Sequence, residues 1–127
     1  METSAYVLHH LATEQVDLHE SNVRSGNLAE ARAALRSALT LELAAAWLLP
    51  VEVQPARAVL FRSAGSLAYL CARPDIGHIA VYEGLRGRPH PEIVVELQEL
   101  LANYPEPSVA FEGAVDDSDS APILPNC

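Results

Sequence analysis

From residue 4 to residue 104 the apolar side chains recur at intervals of three and four, and the pattern breaks only around glycine and proline. That spacing lines them up along one face of an α-helix and does not fit the alternation of a half-buried strand. A first helix is predicted over 4–24, with Leu8, Ala12, Val16, His19 and Val23 on its stripe and Leu11 and Leu18 beside it. Ser25-Gly26 ends it, since glycine adopts the left-handed conformation that closes helices. The second helix opens at Asn27, with Glu30 three residues on completing a capping box, and runs to Leu49 ahead of Pro50. Its stripe is Leu28, Ala31, Leu35, Ala38, Glu42, Ala45 and Leu49, and Leu35 is expected to be buried between the first and third helices. From Ala38 to Leu49 apolar residues go nearly all round, so this helix is expected at the centre of the fold.

Pro55 suits the first turn of a third helix, which carries Val59, Leu60, Ala64, Leu67 and Cys71 and ends at Arg73. Pro74-Asp75 starts a short fourth helix with Ile76, Ile79, Ala80 and Val81, fading over Gly84 to Gly87. After Pro89 to Pro91, Ile93, Leu97, Leu100, Leu101 and Tyr104 form the stripe of a fifth. Loops this short make consecutive helices antiparallel, so the expected fold is all-α: two helical hairpins and a capping helix over residues 1–104.

Residues 105–127 differ in kind. They hold five acids, four prolines and no basic residue, too little apolar content to offset the entropy of ordering, so a flexible acidic tail is expected. The whole chain of 127 residues has 8 basic and 17 acidic side chains, a net charge of −9, and every basic residue is Arg. Without lysine there is neither a phosphate-cradling P-loop nor Schiff-base catalysis. The acidic balance disfavours nucleic acid and anionic membrane surfaces, which are bound by neutralising basic side chains. The most apolar stretch, Ser37 to Leu49, is 13 residues long and contains Glu42, against about 20 apolar residues for a membrane span. Met1 to Tyr6 lack the basic flank and apolar core of a signal peptide. Cys71 and Cys127 are too few and too differently placed for a disulfide framework, so a reducing cytoplasm is the expected location.

The segment Gly26-Asn27-Leu28-Ala29-Glu30-Ala31, followed by Leu35 and Ala38, resembles the tetratricopeptide pattern G-x-Y-x-x-A-x-x-x-F-x-x-A, with Leu28 and Leu35 in the aromatic positions. Gly65, Ala72, Gly77, Val81, Gly84 and Pro89 are similar to a second such repeat, with small residues where helix backbones must approach. The likeness covers residues 6–104 and implies two degenerate repeats plus a capping helix. In that family the first helix of each hairpin lines a concave groove for an extended peptide. By position, the resemblance places Val16, Glu20 and Arg24 of the first helix and Arg62, Ser66 and Tyr69 of the third in the groove. It implies no catalytic residues and no cofactor.

Residues 57–88 hold five arginines against Asp75 and Glu83, so an acidic segment is the expected occupant. His9, His10 and His19, with Glu14 and Asp17, lack the spacing and the second ligand cluster of a metal site. Glu42 faces inward, and if buried it needs a partner, for which Arg57 and Arg62 are the candidates, or a raised pKa. Read as a lone carboxylate without a histidine beside it, it is structural, since acid-base chemistry needs positioned company. Cys71, on an apolar stripe, is expected to serve as a small hydrophobe. These features predict a non-enzymatic adaptor that binds a protein or peptide, with a homodimer through Trp47 and Leu48 covering that apolar ridge. The alternative is a precursor of a ribosomal peptide natural product. Its helical part would then be the leader, 112–120 the spacer, and a partner enzyme would modify the tail at Ile123, Leu124, Asn126 and Cys127.

Overall fold

The computed structural model describes residues 3–104, and the expectations for the tail, with Ile123, Leu124, Asn126 and Cys127, lie outside the described residues. Within them are five helices and no strand: α1 (Thr3–Arg24), α2 (Leu28–Leu48), α3 (Ala56–Leu70), α4 (Pro74–Gly84) and α5 (Pro91–Asn103). The all-α class read from the spacing is therefore observed. No helix among the described residues is long and apolar enough to cross a membrane.

Gly26 closes α1 as expected. At φ +80° it turns the chain so that its N–H donates to the Val23 carbonyl and the Asn27 N–H to that of Asn22, satisfying two carbonyls of the last turn. The capping box does not form. Asn27 is engaged in closing α1, and its side-chain amide donates to Asn22 Oδ1 (3.4 Å) rather than serving the first turn of α2. The same closure ends α3 at Leu70, three residues earlier than expected, with Ala72 at φ +59° and the Arg73 N–H donating to the Ala68 carbonyl (2.8 Å).

Contacts between elements fix the topology. His9 meets Glu42 and His19 meets the Ala31 carbonyl, so α1 and α2 run antiparallel. Trp47 lies edge-on to Phe61 and Arg57 reaches the Leu49 carbonyl, so α2 and α3 are antiparallel as well. It follows that α1 and α3 are parallel, one on each side of α2. Leu35 is buried with Val16 of α1 and Leu67 and Ala68 of α3, while Arg36 is exposed, as the stripe requires. α5 packs on α3 and α4 through Ile93 and Leu97.

α3 and α4 approach closely because small residues face each other. A Cβ on Gly77 would lie 2.5 Å from the Tyr69 ring, and one on Gly84 would lie 3.1 Å from the Phe61 Cβ. The end of this hairpin is tied by Arg57, which is 3% exposed, lies over the Phe61 ring and donates to the Leu49 carbonyl, the Glu83 carbonyl and the Glu83 carboxylate. Burial raises the Glu83 carboxyl, but its bonds to Arg57 and Arg86 outweigh this and hold it below the usual range. Cys71 is fully buried in the apolar cluster beside Leu35, as its place on the stripe implies, and it is disulfide-bonded as well.

Candidate functional site

Where α1 and α3 flank α2, a cleft of about 300 Å³ opens. α1 contributes His9 and, three, four and seven positions after it, Ala12, Thr13 and Val16, which therefore share its face. α3 contributes Arg62, Ser63, Ser66 and Leu67 by the same rule. The floor is Glu42 of α2, placed by the inward stripe and 3% exposed.

His9 Nδ1 lies 2.9 Å from one Glu42 carboxylate oxygen and 3.1 Å from the other. When Glu42 is ionised its carboxylate only accepts, and His9 Nδ1–H is then the donor. Burial pushes the Glu42 carboxyl above the usual carboxylate range, and the hydrogen bond and charge of His9 and the hydroxyl of Ser63 only partly offset this. The expected partners are thereby corrected. Arg57 is held at the far end of the hairpin by Leu49 and Glu83, and Arg62, although it lines the cleft, reaches out to Glu96 of α5. Nor is Glu42 a lone carboxylate. His9 sits seven residues before Val16, two turns back along the same face, and that spacing is the sequence signal that it faces the cleft.

Three of the residues that the tetratricopeptide resemblance places in a groove, Val16, Arg62 and Ser66, line this cleft. Glu20 and Arg24 do not. Because Val16 is level with Leu67 and α3 ends at Leu70, Glu20 comes level with the very end of α3 and Arg24 more than a turn beyond it, and both are exposed. Tyr69 faces away from the cleft. Its ring fills the hollow left by Gly77, meets His78 edge-on and stacks on Tyr104 at 4.3 Å between centroids.

The expected basic portion is largely neutralised. Arg57 and Arg86 share Glu83, Arg73 pairs with Asp75, and Arg62 pairs with Glu96. Among the described residues no group of three or more His, Cys, Asp or Glu side chains stands close enough to hold a metal ion. Trp47 and Leu48, on the ridge read as a dimer surface, are 51% and 43% exposed. Comparisons with protein-family models, curated proteins and solved structures find no match.

Proposed function

We propose that this chain is a non-enzymatic helical adaptor that binds a segment of a partner protein in the cleft between α1 and α3. The observation that carries this reading is the cleft itself, an open groove between two parallel helices whose floor is a nearly buried side chain of a third. Its walls are apolar at Ala12, Val16 and Leu67 and polar at Thr13, Ser63 and Ser66, the mixture that lets a site bury a side chain and fix its orientation. About 300 Å³ is at the small end of ligand sites, which suits one or two side chains of an extended segment better than a large cofactor. The hydrogen bonds of the His9 ring among the described residues both go to Glu42, so no hydroxyl is poised against it as a nucleophile would be.

The test is selection of binders from a random-peptide display library on the full chain, followed by binding to a cleft-filling variant. Peptides should be enriched, and Ser66→Trp should abolish their binding while the helical circular dichroism is kept. Ser37→Trp, on the outer face of α2, should bind them normally. Failure to enrich any peptide, or equal binding to Ser66→Trp, would overturn the proposal.

A further inference from the structure

We infer that the cleft is a socket for a cationic side chain, a lysine or arginine on a basic segment of the partner, whose charged head reaches the Glu42 carboxylate while its stem lies against Val16 and Leu67. The inference rests on the groove reading above and names its occupant. A carboxylate offers about four lone-pair positions. One N–H of His9 is shared between the two oxygens and Ser63 supplies one hydroxyl, so acceptor capacity remains at the floor of the cleft. The carboxylate is also under-compensated, since burial outweighs the help of both neighbours, and a buried charge is costly until it is paired.

An anionic occupant would set a second negative charge against Glu42. Arg62, the arginine that lines the cleft, is held by Glu96. A wholly apolar occupant would cover the carboxylate without pairing it. A long basic side chain meets both requirements, because its methylene stem packs on apolar walls while its head stays with the polar group. The net charge of −9 steers a basic segment toward the protein at long range.

The experiment is a titration of the ¹⁵N-labelled full chain with capped pentapeptides Ala-Ala-X-Ala-Ala, X being lysine, norleucine or glutamate, and with n-butylammonium. The lysine peptide should shift the amides of Ala12, Thr13, Ser63 and Ser66 and bind about tenfold or more tightly than the norleucine peptide. In Glu42→Gln that preference should vanish while the norleucine peptide still binds, which shows that the cleft has survived the substitution. If norleucine or glutamate peptides bind the same amides as tightly as lysine, the groove stands and the cationic socket is wrong. If no peptide perturbs the cleft, both readings fall. Binding of n-butylammonium as tight as that of the lysine peptide would overturn a macromolecular occupant in favour of a free amine.

Discussion

Glu42 is the residue where folding and function pull in different directions. Its stripe position buries it, yet its neighbours are one histidine and one serine, and burial keeps its carboxyl above the usual range. A carboxyl that holds its proton more tightly in the folded chain contributes its full stability below the ordinary value of about 4.5, and this is lost as pH rises through the raised folded value. Glu42→Gln keeps the shape and never ionises. Urea unfolding of the two proteins should therefore show the variant gaining on the wild type as pH rises from about 4 to about 7, with other carboxyls cancelling in the difference. A variant that loses ground over that interval would mean that His9 and Ser63 more than compensate the buried charge.

The helices owe their spacing to packing, and α3 and α4 show how tightly. Gly77 lies inside a helix, where alanine would ordinarily stabilise by about 1 kcal/mol. Here a Cβ would lie 2.5 Å from a Tyr69 ring held between His78 and Tyr104, so Gly77→Ala should instead destabilise by about 1 to 2 kcal/mol in chemical denaturation. A more stable variant would show that the hairpin is looser than described. These elements were legible in the sequence because each stripe and each breaker is local: Gly26 and the small residues at 65, 77 and 84 do what their positions imply. What was not legible depends on which helix passes which. The capping box failed because Asn27 already closes α1, Tyr69 left the groove because Gly77 offered a hollow on the other side, and Glu20 and Arg24 overshot because α3 stops at Leu70. The His9–Glu42 pair, 33 residues apart, is set by the antiparallel register of α1 and α2, which a list of candidate arginines near position 60 did not include.

At the scale of the molecule, α2 is the axis on which both the core and the cleft depend. One of its faces buries Leu35, Ala38 and Leu39 among α1 and α3, and one turn further on the same face it presents Glu42 where the flanking helices part. The adaptor reading, the cationic socket and the pH behaviour all require that His9 of α1 and Glu42 of α2 meet at that point. A double-mutant cycle on the full chain at about pH 7, combining His9→Ala and Glu42→Ala in urea unfolding, measures that meeting without reference to any ligand. The two substitutions should be non-additive, with a favourable coupling of about 1 kcal/mol or more. Losses that simply add, within about 0.5 kcal/mol, would place the two side chains apart and contradict the cleft on which this account of the protein is built.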